Sequence, residues 1–442
     1  MSNVLGKVEF MGFIRNIILS VLFFFMGTCS IFAQNIYHIL NSEEDALQCR
    51  IDLIQQAQNE ILLSYYIFEP DLVGTQLLTL LLEAAERGIK ICILVDDMGN
   101  TFSRQYAQYL YEKGIEIRVY NEPNFPKINT FTHRLHDKIF LTDAQRMIIG
   151  GRNIKNAYYN LAERNFMDRD VLVQQKASVD SARAHFYTLW NNSSITTWKK
   201  RELLTEEDRA TLLENIEANL AEFARLNTYH FDTQNDWSEG QKNIPNIRFW
   251  HNQFKQEGRQ KSNMITDSLL YLVRNAQENI TIQNPYFAPT HAWRKAFKEA
   301  LSRGVKVKVM TNSVATNDVL LMQGAYRNMR KRLLKLGIRL WEFKGPKMVH
   351  MKTMVIDDSI SVIGSYNIHA VSQNWNTEVA AVAFDKDAAA QHLAFMQPQF
   401  DNAVYILPEK NRPETKIEAP LCYKFRMTFD RFTLSFLLKH FL

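Results

Sequence analysis

The chain has 442 residues, 46% of them hydrophobic and 22% charged, with a net charge of +5, too long for one ordinary core and enough for two domains of about 150–200 residues each. No low-complexity tract or long charge run argues for disorder. So mild a positive excess suits an anionic substrate, a membrane surface or a merely solvated exterior, and identifies none of them. Cys29, Cys49, Cys92 and Cys422 lack C-x-x-C spacing, which argues against a zinc site and against a disulfide framework.

At the N-terminus, Lys7 and Arg15 precede an apolar run from Ile17 to Ala33. This pattern predicts a secretory signal peptide over residues 1–33, cut after Ala33. An uncleaved anchor, or a lipoprotein on Cys29, is the alternative. Each version puts the remainder outside the cytoplasm.

The elements that follow occur twice. AQNEILLSYYIFEPD (Ala57–Asp71) matches AQENITIQNPYFAPT (Ala276–Thr290), each a helix end, a strand and a proline-closed turn. LLLEAAERGIKICILVDD (Leu80–Asp97) matches FKEALSRGVKVKVMTNS (Phe297–Ser313), and both helices stop at Arg-Gly, with Gly88 and Gly304 suited to a left-handed cap. YEKGIEIRVYN (Tyr111–Asn121) matches LKLGIRLWEF (Leu334–Phe343). Alternating strands and helices predict an α/β fold built twice and rich in parallel pairing. The halves are read as residues 34–196 and 246–407. Between them lies a helical connector, 197–245, with one helix from Glu206 to Leu226. The end, 408–442, reads as a linker and an amphipathic tail. From Leu421 its apolar residues share one helical face beside an excess of Lys and Arg, as an interfacial or a docked terminal helix would.

The chemistry-bearing residues repeat at one offset. His136, Lys138 and Asp143 form H-x-K-x4-D, followed by Gly150-Gly151-Arg152-Asn153; His350, Lys352 and Asp357 repeat it before Gly364-Ser365-Tyr366-Asn367. His and Lys two apart share one face of an extended segment. The next strand brings small residues, leaving room for a ligand near the backbone, together with an Asn. Imidazole, ammonium and amide suit a phosphate group. Two histidines with split titrations can serve as nucleophile and proton donor. A lone His-x-Lys would carry no weight; the doubled, spaced pattern does.

The doubled H-x-K-x4-D with G-G/S-x-N resembles the phospholipase D superfamily over about Ala46 to Leu407. HDKIFLTDAQRMIIGGRNI, FMDRDV, TNSVATNDV and HMKTMVIDD make it similar to the bacterial cardiolipin synthase group, its cardiolipin synthase C branch in particular. The resemblance implies two tandem phospholipase D-like α/β/α halves about a pseudo-two-fold, with one shared active site at their interface. It implies His136 as nucleophile and His350 as general acid then base, the reverse remaining open. Lys138, Lys352, Asn153 and Asn367 would bind phosphate oxygens, and Asp143 and Asp357 would stabilise strand ends. Asp170 in DRDV and Glu378 in NTEV are expected to orient the histidines through Nδ1. Arg152 and Tyr366 depart from the family pattern. Tyr286, Phe287 and Trp375 are read as packing residues, an acyl groove being the alternative. Asn312, Thr316 and Asp318 fall on a loop after a strand, a ligand position or a plain turn.

The implied activity is metal-independent phosphatidyl transfer making cardiolipin from phosphatidylglycerol and a second phospholipid. Hydrolysis to phosphatidic acid, a nuclease and a lipid-binding protein are the alternatives. No cofactor and no metal are expected. The partners are phospholipids and a membrane surface, with no nucleic acid and no obligate protein partner. The expected location is the bacterial cell envelope, on the periplasmic side.

Overall fold

A computed structural model describes residues 34–121, 133–192, 195–197, 204–226, 229, 235–254 and 261–407. The leader at 1–33 and the tail from 408 lie outside the described residues.

The first half runs β1 (Ile36–Leu40), α1 (Glu43–Gln56), β2 (Glu60–Tyr65), α2 (Leu72–Glu86), β3 (Lys90–Asp96), α3 (Arg104–Glu112), β4 (Ile115–Tyr120), β5 (Lys138–Thr142), β6 (Arg146–Gly150), β7 (Phe166–Met167), β8 (Asp170–Gln174), α4 (Lys176–Trp190) and β9 (Ile195–Thr197). After α5 (Glu206–Leu226), the second half runs β10 (Ile247–His251), β11 (Gln253–Phe254), β12 (Lys261–Ser262), α6 (Met264–Asn275), β13 (Asn279–Gln283), α7 (His291–Ser302), β14 (Lys306–Asn312), α8 (Leu320–Leu336), β15 (Arg339–Phe343), β16 (Met348–Val349), β17 (Thr353–Ile356), β18 (Ile360–Gly364), α9 (Ala370–Asn374), β19 (Val379–Phe384), α10 (Lys386–Asp401) and β20 (Ala403–Ile406).

Local chemistry sets the boundaries. Ser42, Asp71 and Ser103 cap α1, α2 and α3 by accepting hydrogen bonds from Asp45 N, Gly74 N and Tyr106 N. Past the Arg-Gly stops, Gly88 and Gly304 take φ of 85° and 92°, the left-handed region their spacing predicts.

Two eight-stranded sheets result. Their orders, β1-β8-β6-β5-β2-β3-β4-β9 and β10-β19-β18-β17-β13-β14-β15-β20, correspond strand for strand. The expected parallel pairing is confined to three adjacent strands of each sheet. Only β2–β3, β3–β4 and their counterparts β13–β14, β14–β15 are parallel within the sheets. The strands carrying the motifs, β5, β6 and β8, pair antiparallel. A short turn joins β5 to β6, and the longer connection from Gly150 to Asp170, which carries β7, joins β6 to β8; neither needs a helical crossover.

Alternation buries each sheet on both faces. Ile61, Leu63, Ile91 and Ile93 face the cluster with α1, α2 and α3. Leu62, Leu94, Ile139 and Ile149 join Ile363, Val379 and Ala381 of the other sheet in one shared cluster. Each Leu, Ile or Val side chain among them contributes about 1.5–3 kcal/mol when fully buried, so the halves are held by a continuous core. The 206–226 helix forms as read, and its Leu212, Ile216 and Phe223 pack into the first half's core.

Candidate active site

His136 lies just before β5, and its N–H donates to Thr377 Oγ1 at 2.9 Å, while Thr377 N–H donates to Arg134 O at 2.9 Å. His350 follows β16, which pairs in parallel with β7, and its N–H donates to Met167 O at 2.7 Å. Each motif histidine is therefore tied by its backbone to the opposite half.

The side chains cross over in the same way. His136 Nδ1 lies 3.0 Å from Glu378 Oε2, and His350 Nδ1 lies 2.6 Å from Asp168 Oδ2. A carboxylate on Nδ1 takes its hydrogen and leaves Nε2 with a free lone pair. Glu378 does what was expected of it; Asp170 does not. Asp170 instead accepts from Arg50 Nη2 at 2.8 Å and from Arg152 N at 3.2 Å. The pairing explains the correction. Gly150 pairs with Asp170 where Gly364 pairs with Ala380, so the residue matching Glu378, two back, is Asp168.

Burial opposes ionisation of Asp168, but Lys352 and His350 outweigh it and hold the carboxyl below its ordinary value. Burial, reinforced by Lys138 and Lys352, keeps His136 well below the usual imidazole range. Burial and Lys352 also lower His350, with Asp168 pulling it back up. Burial thus holds both imidazoles below their ordinary value, and on His350 the Asp168 carboxylate opposes it.

The lysines are buried beside the histidines. Lys138 Nζ donates to His136 O at 2.7 Å and lies 5.5 Å from the centre of the Tyr66 ring. Lys352 Nζ donates to His350 O and sits 3.1 Å from His350 Nε2 and 3.8 Å from Asp168 Oδ2. Burial, with the neighbouring Lys352 adding to it, lowers Lys138 to about 7, and burial lowers Lys352 to about 8.

Asn153 Oδ1 accepts from Ile67 N at 3.1 Å, and its Nδ2 donates to Tyr158 Oη at 2.8 Å; that hydroxyl lies 3.4 Å from His350 Nε2. The amide expected on phosphate is thus engaged with Tyr158. Asn367 Oδ1 is buried with no hydrogen-bond partner among the described residues. Asp143 and Asp357 act at strand ends, as read. Asp143 takes the N–H groups of Gln58, Asn59 and Glu60 at 2.7–3.0 Å, and Asp357 takes those of Gln277, Glu278 and Asn279 at 2.8–3.1 Å.

The glycines do not clear space for a ligand. A Cβ on Gly150 would fall 1.9 Å from Asp170 Oδ1, and one on Gly151 would fall 2.1 Å from Asp168 Oδ1. They make room for the carboxylates. Ser365, matching Gly151, is instead compatible with the longer Glu378, to whose Oε2 its hydroxyl donates. Arg152 is buried and donates to Leu40 O at 3.0 Å, while Tyr366 Oη meets Thr266 Oγ1 at 2.9 Å in the core. Neither lines the cavity.

That cavity, about 520 Å³, is lined by both histidines, Asn153, Asn367, Arg134 and Tyr158 among others. Tyr286 lines it too, whereas Phe287 is core. Asn312 fixes the strand before His350, donating to Val349 O at 2.7 Å and accepting from Val349 N at 2.9 Å. Sequence reasoning passed over Asp168, Thr377 and Tyr158. The two acids of FMDRDV were the one available hint. Among the described residues, no cluster of three His, Cys, Asp or Glu side chains is spaced to hold a metal ion, and no helix is long and apolar enough to cross a membrane.

A duplicated mixed sheet with an H-x-K-x4-D motif in each half, the two motif histidines lining one cavity, defines a protein of the phospholipase D superfamily. The family described as "Cardiolipin synthase, PLD-like domain" matches residues 50–190 and 269–398, and the chain belongs to it. It is 28% identical over 421 residues to cardiolipin synthase C of Escherichia coli strain K12, covering 85% of this chain and 86% of that one. To the major cardiolipin synthase of Bacillus subtilis strain 168 it is 24% identical over 364 residues, covering 81% and 68%. The crystal structure of a phosphatidylserine synthase from Haemophilus influenzae Rd KW20 shares the fold, with a TM-score of 0.67 and 16% identity over 92% of this chain and 95% of that one.

Proposed function

We propose that the protein is a phosphatidyltransferase that makes cardiolipin from phosphatidylglycerol and a second phospholipid through a phosphohistidine. The observation that carries this reading is the reciprocal exchange of acids. Glu378 and Asp168 each hold a histidine of the other half at Nδ1, beside one cavity lined by both. The similarity to cardiolipin synthases supplies the substrate class.

His136 attacks the donor phosphorus through Nε2, and the phosphorus–oxygen bond to the head-group alcohol breaks. His350, protonated at Nε2, gives that proton to the departing oxygen. An incoming lipid hydroxyl then loses its proton to His350 and attacks phosphorus, breaking the bond to His136. Lys138 and Lys352 supply positive charge for the equatorial oxygens. Ala157, Phe166, Met322 and Val371 give the cavity apolar walls suited to the lipid part of a substrate.

Product analysis by mass spectrometry on phosphatidylglycerol vesicles, with and without phosphatidylethanolamine, tests this. Intact protein should yield cardiolipin. His136→Ala and His350→Ala should each lower turnover by at least about 10³-fold, roughly 4 kcal/mol of barrier. Phosphatidic acid as the sole product would make it a hydrolase; near-normal turnover in either variant would reject the two-histidine mechanism.

A further inference from the structure

The cavity is read as handling an anion, yet an acid lines it. Among the described lining residues Arg134, Lys155 and Arg164 are cations, and Asp318 is the one carboxylate. The cations are engaged: Arg134 with Asp96 at 3.1 Å, Lys155 with Glu69 at 2.6 Å and Arg164 with Thr316 O at 2.6 Å. Asp318 Oδ1 accepts from Tyr286 Oη at 2.7 Å, and no ion pair involves Asp318 among the described residues. Tyr286 stands edge-on to His350, ring centres 6.3 Å apart, which puts this carboxylate on the His350 side. Asp318 is exposed at the cavity, on the loop between β14 and α8. The matching first-half loop, 97–103, contributes no lining residue, so the feature belongs to one side of the cavity only.

A carboxylate beside a phosphate site works against anion binding. It is an acceptor with about four lone-pair sites, and a neighbouring hydroxyl uses one. What it offers in the cavity is recognition of hydrogen-bond donors. The general acid of the first step is the base of the second, so the departing and the arriving alcohol oxygens use the same position next to His350.

We propose that Asp318, held by Tyr286, selects the alcohol exchanged beside His350, favouring one with a second hydrogen-bond donor, such as the vicinal hydroxyl of a glycerol head group, over simple alkanols and water. This rests on the transferase reading above. Rejection of a substrate lacking a hydroxyl that a site is built to bind is the strongest form of such discrimination.

The test uses the full chain with phosphatidylglycerol vesicles and an equimolar mixture of deuterated glycerol and 1-propanol. Mass spectrometry reads labelled phosphatidylglycerol against phosphatidylpropanol. The wild type should favour glycerol, and Asp318→Ala should lower the ratio at least tenfold. Tyr286→Phe, which keeps the carboxylate but frees it, should lower the ratio less. An unchanged ratio in Asp318→Ala, or a wild type that transfers to both alcohols equally, overturns this proposal alone. A wild type that makes cardiolipin but neither of these products also overturns this proposal alone, and one that makes neither product and no cardiolipin sinks the transferase reading and this proposal with it.

Discussion

The acid on Nδ1 decides which histidine nitrogen faces phosphorus, and FMDRDV offers two acids for the part beside His350. Asp168 is buried against the imidazole, whereas Asp170 is sealed between Arg50 and Arg152. Their substitutions should separate cleanly. Asp168→Asn should lower turnover at least about 10²-fold by losing the ionised acceptor, with a smaller loss of stability than Asp170→Asn, because the buried Lys352 it leaves can shed its proton and an arginine cannot. Asp170→Asn leaves Arg50 as an unpaired buried charge and should cost about 3–5 kcal/mol of stability. Turnover per folded molecule and urea unfolding of both variants check this; an activity loss confined to Asp170→Asn would reverse the assignment. The histidines, lysines and motif aspartates were legible because one offset of 214 relates them. The first half's acid was not, because Asp168 and Glu378 differ by 210. The first half carries four more residues between its Asn and its acid, and aligning RDV with TEV by eye lands two residues off.

At the ends of β6 and β18, the same turn is built with two complementary pairs: Gly151 with the short Asp168, and Ser365 with the longer Glu378. Gly151→Ser alone drives a side chain into the Asp168 carboxylate and should disturb His350. Adding Asp168→Glu recreates the second half's pair, so the double variant should recover activity relative to Gly151→Ser. A double-mutant cycle should return a favourable coupling of about 1–3 kcal/mol; purely additive losses would show that the two pairs are not interchangeable. Duplicated flanks and glycine stops made β2, α2, β3 and their counterparts visible in the sequence. The antiparallel run from β5 to β8 was hidden, since apolar strands read alike whichever way their neighbours point. So was the docking of α5, because a mostly polar helix does not announce which core receives Leu212, Ile216 and Phe223.

Across the whole molecule, the halves exchange acids, pair β7 with β16 and share one core, so the site exists only when both are folded. Three further histidines lie where burial opposes their charge. His392 is fully buried at the seam between halves, its Nδ1 2.8 Å from Ser361 Oγ, which in turn lies 3.0 Å from Tyr37 Oη. Burial, with Arg169 adding to it, holds His392 well below its ordinary value. Burial likewise lowers His251 and His369 from 6.5 to about 4. Each stays neutral in the folded chain and takes a proton on unfolding below 6.5, so the unfolded state binds more protons and stability falls as pH falls. For each such histidine the slope approaches about 1.4 kcal/mol per pH unit, and for His251 and His369 it continues down to about pH 4. Urea unfolding at pH 7 and pH 5 should show the loss, and His392→Gln should reduce its slope by close to one proton. An equal slope in that variant would mean that His392 charges within the folded protein, and that the seam between the halves admits water at acid pH.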